Sequence, residues 1–397
     1  MKEHSHSIEA WDKDAADALY GVSKWGAGYF AIGDNGNLCV TPDIEKPHMQ
    51  IDFASVISDI QQANIQFPVV VRFHDVLRAQ VVHLNKAFNK CIQEANYQGQ
   101  YRGVYPVKVN QMREVVEEIV DAGKEYHYGL EAGSKAELIT ILAYNTTPEA
   151  LTVLNGYKDE EFVNLAFLAQ KLGRKVLIVV EKFSEIATII KIANELGEMP
   201  MIGLRAKMSV KGRGKWEGSG GDRAKFGLTI SEIINAGKTL AEAGMGESLK
   251  LLHFHIGSQL TDIRAVKEAI NEGALIYAEL RHLGFNLEYV DIGGGLGIDY
   301  DGTKSTNDSS RNYTIEEYVA DVVYGMQEVC DLEKVPHPTL VSESGRAITA
   351  HHSCVITEIM GEIRPDSAQA DLTIGHEEHV ILTNMRELSE NIELATN

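Results

Sequence analysis

The sequence has no apolar run long enough to span a bilayer, and its opening residues, Met1 to Asp12, carry histidines and acids but no apolar core. Neither a membrane span nor a secretory leader is expected, and His4 and His6 read as tail composition rather than a metal site. Closely spaced cysteines are missing too. Cys39, Cys91, Cys330 and Cys354 lie far apart, which suggests neither a zinc site nor a disulfide framework and fits a reduced, cytoplasmic setting. Positive charge is scarce: 37 Lys and Arg stand against 57 Asp and Glu, a net charge of −20. That balance argues against nucleic acid or an anionic membrane as partner and is friendlier to a cationic small molecule. The basic cluster from Lys211 to Trp216 reads as a solvated loop in so acidic a chain.

What is present is an ordinary globular composition, 44% hydrophobic and 24% charged, over 397 residues, more than one core usually holds. From Trp25 to Val40, aromatic and small residues alternate around Asp34-Asn35-Gly36-Asn37. This predicts a β-hairpin with no helix of its own, in a separate β module. After Pro68, Val69 to Val71 read as a strand, and Leu77, Val81, Leu84, Phe88 and Ile92 share one helical face, leading into the main domain. From there strands and helices alternate regularly. Eight strands are expected near 103–109, 126–131, 151–155, 175–181, 201–206, 250–256, 287–292 and 338–343, a (β/α)8 barrel. Ser134 with Glu137 and Thr314 with Glu317 have capping-box spacing, and Ser184 and Gly197 bracket another amphipathic helix.

In such a barrel the carboxyl ends of the strands carry the chemistry. Here they offer Lys108, Glu131, Asn155, Glu181, Arg205, His255, the glycines after Asp291, and Glu343. Lys108 closes the apolar run Tyr105-Pro106-Val107. A lysine desolvated at a strand end has an accessible neutral amine that condenses with an aldehyde, although a lysine also ends a strand simply by reaching solvent. After the seventh strand comes Asp291-Ile292-Gly293-Gly294-Gly295-Leu296-Gly297, and after the eighth Glu343-Ser344-Gly345-Arg346. Glycine amides followed one strand later by an arginine predict a phosphate site, whereas a glycine run alone equally fits a tight turn.

A phosphate site opposite an amine describes a pyridoxal phosphate enzyme, and the motifs carry a resemblance. Tyr105-Pro106-Val107-Lys108, His253-Phe254-His255-Ile256-Gly257-Ser258-Gln259, the three glycines and Glu343-Ser344-Gly345-Arg346 resemble the alanine-racemase-like class of pyridoxal phosphate decarboxylases. Within it, residues 129–137, 155–159 and 347–352 resemble the biosynthetic arginine decarboxylase family. The resemblance runs from about Trp25 to His352. It implies a barrel of the alanine racemase type, residues 67–352, with part of an accessory β domain contributed by 1–66 and 353–397. It implies that Lys108 holds the cofactor, His255 lies against its ring, Glu343 faces the ring nitrogen, and Ser258, Gly293, Gly294, Gly295, Gly345 and Arg346 bind its phosphate. Glu131 and Arg205 would be lesser candidates for cofactor contacts. Val290, Asp291, Gly297, Asp299 and Tyr300 would line the substrate. The glycine-rich segment 208–224 would cover the site, or be a surface connection.

The implied reaction is decarboxylation of L-arginine to agmatine, a step of arginine catabolism that opens polyamine (putrescine and spermidine) synthesis, in a homodimer or larger homo-oligomer. The close alternatives are decarboxylation of ornithine or diaminopimelate. A silent homologue that only binds a partner is the alternative of another class. Magnesium is implied by resemblance only, and no carboxylate cluster in the sequence identifies a metal site. After His352 the resemblance becomes fainter: 353–364 reads as the start of a β domain and Leu382, Met385 and Leu388 as a helix. The acidic, cysteine-containing region with which the family completes its site across a dimer is not read here, so the chain reads as lacking a carboxyl-terminal part.

Overall fold

The computed structural model describes residues 12–44, 46–144, 147–210, 225–363 and 379–395. Residues ahead of the main unit form α1 (Lys13–Tyr20), α2 (Val22–Trp25), β1 (Phe30–Ile32), β2 (Leu38–Val40), β3 (Ile51–Asp52) and α3 (Phe53–Gln62). The expected hairpin is present, with Phe30 opposite Val40 across the Gly33 to Asn37 turn. It is not helix-free. Asp12 and Asp52 cap α1 and α3 by accepting from Ala15 N and Ala54 N, and Trp25 ends a helix instead of starting a strand.

Next come β4 (Val69–Arg72) and α4 (His74–Ala95), the latter burying Leu77, Val81, Leu84 and Phe88 on the face foreseen. The barrel strands follow: β5 (Tyr101–Pro106), β6 (Gly129–Ala132), β7 (Leu151–Leu154), β8 (Lys175–Val180), β9 (Met201–Arg205), β10 (Leu249–His253), β11 (Tyr289–Asp291) and β12 (Thr339–Ser342). All eight fall where the alternation placed them, all pair in parallel, and β12 closes on β5. Between them run α5 (Arg113–Ala122), α6 (Lys135–Tyr144), α7 (Glu160–Lys171), α8 (Glu185–Leu196), α9 (Ile230–Glu242), α10 (Ile263–His282) and α11 (Ile315–Glu333). The helix directly after β12 is the short α12 (Arg346–Thr349), and α4 packs between α11 and α5, supplying the missing helix of the ring.

The chain ends with β13 (Ser353–Ile356) and α13 (Val380–Ala395). β4 sits outside the barrel: it pairs antiparallel with β13, Val71 opposite Cys354. A strand's own residues show that it is extended, not which edge it will join. Cys354 and Ile356 pack on the cluster of Tyr29, Phe30, Phe53 and Phe73, so segments before and after the barrel build one small accessory core.

Caps differ in detail from the sequence reading. Thr314 and Glu317 form the expected box, but Glu137 reaches back to Gly133 N instead of Ser134 N. Ser184 makes no cap bond; the Glu185 carboxylate instead accepts from Glu181 N, Lys182 N and Lys158 N.

Inside the barrel Val104, Leu151, Val153, Leu177, Val179, Leu251 and Val341 form the inner core, while Leu130, Leu154, Ile178, Val290 and Leu340 belong to the layer beneath the helices. Side chains alternate along a strand. Two residues beyond an inner position, the barrel's upper layer receives Asn155, Glu181, His253 and Glu343.

Candidate active site

A cavity of about 430 Å³ opens at the carboxyl ends of the strands, lined among others by Lys108, His255, Ser258, Gly294, Gly295, Tyr300, Glu343, Gly345 and Arg346. Residues from both ends of the barrel sequence meet here because β5 and β12 are neighbours.

Lys108 follows β5 in a single 3-10 turn, and its Nζ lies 3.3 Å from Glu131 Oε2. The sequence reading expected a desolvated, neutral amine, and the structure corrects this. Its side chain is 56% exposed. Burial pulls its pKa down, but the carboxylates of Glu131 and Glu343 outweigh that and the net shift is upward. Both partners come from other strands, which is why Lys108's own neighbours in sequence do not reveal them.

Beneath it lies a chain of buried polar groups. The Asn155 amide donates to Glu131 Oε1 at 3.1 Å and to Glu343 Oε1 at 2.6 Å. Burial and the nearby Glu343 push Glu131 up to about 7. For Glu343, burial alone would raise the pKa, but His253, Lys108 and His255 hold the carboxyl well below its ordinary range. Asp291 is the third buried carboxyl here, pushed up by burial and by Glu343; the three cannot all ionise so near one another, and Glu343 is the one held most firmly ionised. Asn155 was read in the sequence as a polar strand end and as part of a motif, and His253 only as part of a motif, neither with a role of its own. Alternation was the signal for both, since each lies two residues past an inward apolar side chain.

His255 is partly buried, and burial, reinforced by Arg205, pushes its pKa down to about 3, so the ring it presents is neutral. Its Nδ1 accepts from Gly294 N at 3.1 Å. Gly293 has φ +68°, and a Cβ there would lie 2.5 Å from Phe254 O. A Cβ on Gly294 would come 2.8 Å from Glu343 O. At the far side Arg346 donates to Ser258 Oγ at 3.3 Å and to Tyr300 Oη at 2.9 Å, while its buried Nε has no partner. Ser258, Arg346 and the glycine turn thus surround one end of the cavity, and Lys108 and Glu343 another part of it.

Several expected contacts lie elsewhere. Arg205 does not line the cavity; it pairs with Glu181 at 2.5 Å and sits over the Phe226 ring. Val290 is fully buried under the helices and cannot line a substrate. Asp291 is inside the barrel, below the mouth, accepting from Gly293 N at 2.8 Å. Gly297 packs against Leu260 O, where a Cβ would come within 2.6 Å, and donates to Tyr313 Oη. Asp299 is bonded to Ser310 and Lys304 in a neighbouring cleft, so of this group only Tyr300 reaches the cavity. Of the expected cover, 211–224 lies outside the described residues; the amides of Ser209 and Val210 are held by Glu272.

Among the described residues, one group has the types and spacing of a metal cage: His253, Asp291 and Glu343. It is buried and contains a nitrogen donor, unlike the oxygen-only, water-retaining shell of magnesium.

The family described as "Pyridoxal-dependent decarboxylase, pyridoxal binding domain" matches residues 78–350. The biosynthetic arginine decarboxylase of Deinococcus radiodurans is 47% identical over 384 residues, 96% of this chain and 57% of its own length. That of Phocaeicola vulgatus is 43% identical, covering 97% of this chain and 61% of its own. The crystal structure of the biosynthetic arginine decarboxylase from Campylobacter jejuni superposes with a TM-score of 0.79 at 33% identity, over 93% of this chain and 60% of that one. Diaminopimelate decarboxylase from Helicobacter pylori shares the fold, with a TM-score of 0.62 at 22% identity over 78% of this chain and 70% of that one. The chain spans about three-fifths of the length of these two curated relatives.

Proposed function

The chain belongs to the pyridoxal-dependent decarboxylase family, and from that premise we propose that it removes the α-carboxylate of L-arginine, releasing carbon dioxide and agmatine at the head of a polyamine route. The observation that carries this reading is the cavity itself, where an amine, an ionised buried carboxylate and an arginine–serine–glycine corner face a single space. Identity of 43–47% with arginine decarboxylases, against 22% with the Helicobacter pylori diaminopimelate enzyme, favours arginine among the candidate substrates.

Pyridoxal phosphate fits these residues. The unpartnered buried Nε of Arg346 needs an acceptor, and the Ser258 hydroxyl and glycine amides beside it suit a phosphate. When bound, the cofactor supplies an aldehyde for an amine and a protonated ring that draws off the electron pair left on the α-carbon. Glu343, held ionised, would favour the protonated ring nitrogen. His255, uncharged, would present its face to the ring without competing for that proton. Lys108 would hold the cofactor, give way to the substrate amine, and return a proton from Nζ to the α-carbon once carbon dioxide has gone. Tyr300 would stand at the mouth, tethered to Arg346.

We take the pyridoxal-binding unit as residues 67–352 less β4, whose pairing with β13 joins it to the accessory segments 1–66 and 353–397, and the working assembly as a homodimer or larger. A cytoplasmic location is supported by four free cysteines and by the lack of any helix, among the described residues, long and apolar enough to cross a membrane. The test is product analysis with pyridoxal phosphate and arginine, ornithine or diaminopimelate in parallel. Agmatine from arginine alone is the expected result; lysine from diaminopimelate or putrescine from ornithine would replace the substrate assignment. Lys108→Ala should abolish both the visible absorbance of the bound cofactor and turnover. A wild-type chain with no such absorbance at any cofactor concentration would refute the enzyme reading.

A further inference from the structure

Buried polar atoms without a partner gather under the cavity. They are Asn155 Oδ1, Asp291 Oδ2 and both ring nitrogens of His253. An unsatisfied polar atom in a dry interior is costly, so a cluster of them calls for an account. His253 and Asp291 are at most 1% exposed, and with Glu343 they place polar atoms within 4.8 Å of one another. Glu343 Oε1 takes the Asn155 amide at 2.6 Å and faces His253 Nε2 at 3.5 Å, an ion-pair approach too long for a full hydrogen bond. Asp291 Oδ1 takes Gly293 N, while Oδ2 meets no donor. Two ionised carboxylates only accept, so they would repel here with nothing between them.

We propose that Asp291 and His253 are positioning residues for Glu343: Asp291 stands as a neutral acid sharing its proton with Glu343, and His253 turns its Nε2–H toward the same carboxylate. This rests on the reading of the cavity as the pyridoxal phosphate site. The proton turns Asp291 Oδ2 from an unmatched acceptor into a donor, which leaves one negative charge on the pair, at the residue that lines the cavity. The other groups acting on Glu343 and Asp291 fit that distribution. Lys108 and His255 act on Glu343 from the mouth, and Glu131 faces both across Asn155. Tyr101 and Tyr318 are near enough to feel the Asp291 charge and offer it no cation. Burial and Glu343 drive the Asp291 pKa well above the carboxylate range. A metal ion in the same space would consume the Glu343 charge that the ring nitrogen needs.

The first measurement is infrared spectroscopy of the cofactor-loaded chain at neutral pH. In a Glu131→Gln background, which removes the other buried carboxyl that is part protonated at this pH, the carbonyl stretch of a carboxylic acid is expected, and it should be lost when Asp291→Asn is added. The second is the pH at which the bound cofactor's absorbance titrates. Asp291→Leu and His253→Leu should move it by about one unit, and Asp291→Asn, which keeps a donor against Glu343, should restore it. Should Asp291→Leu fail to fold, His253→Leu carries the titration. No carboxylic acid band assignable to Asp291, equal titrations in the Leu and Asn variants, or one divalent cation bound per chain would overturn the proposal. If the wild-type chain binds no cofactor, the cavity reading fails instead, and the infrared band still reports on Asp291 by itself.

Discussion

Among single residues, Glu131 is the clearest gauge of the site. Its folded pKa of about 7 stands above its ordinary 4.5, so ionising it costs more in the folded chain than in the unfolded one. The resulting stability is full below about 4.5 and is lost as pH rises through about 7. Glu131→Gln removes that titration, and its thermal midpoint should fall less than the wild type's between pH about 5 and about 8. Arg346→Ala should weaken cofactor binding by roughly thirtyfold, about 2 kcal/mol for a charge-assisted contact, read by absorbance titration; unchanged affinity would remove Arg346 from the phosphate corner. Much at this scale could be read in advance: Lys108, His255, Ser258, Glu343 and Arg346 were chosen from motifs and do line one cavity. The charge state of Lys108 was not legible, because it is set by carboxylates on two other strands. Val290 and Asp291 show the other failure. They are adjacent in sequence, so alternation sends one under the helices and the other into the barrel, and neither to the mouth.

At the level of elements, the glycine turn after β11 depends on missing side chains. Gly295 has φ +114°, and a Cβ there would lie 2.8 Å from Gly257 O and from a Leu260 methyl. Gly295→Ala should therefore cost about 1–3 kcal/mol and weaken the cofactor as well, as urea unfolding and absorbance titration together would show. The α4 helix makes a separate case. Phe88 is fully buried and stacks on Tyr101 at 3.7 Å between centroids, so Phe88→Ala should cost about 3–5 kcal/mol, seen as a lower urea midpoint. The eight strands and the α4 face were legible because local periodicity decides them. The pairing of β4 with β13 was not, since their hydrogen bonds join distant parts of the chain.

For the molecule as a whole, the accessory core is built from segments on either side of the barrel and the barrel from the stretch between them, an arrangement that no window of sequence displays. The last joint of the barrel is β12 against β5, with Leu340 beside Tyr101. Lys108 leaves the ribosome early, but Glu343 and Arg346 follow only after the final strand. A nascent chain thus carries the lysine proposed to hold the cofactor through the synthesis of seven further barrel strands without the charge or the phosphate corner proposed to retain the cofactor. Long-range parallel closure is a slow step. On refolding from urea, helical circular dichroism should recover first and cofactor absorbance later, and equal rates would show that closure is not the late event. Capture of the vitamin-derived aldehyde would then act as a proofreading signal: a chain that has taken on colour is one whose ring has already shut.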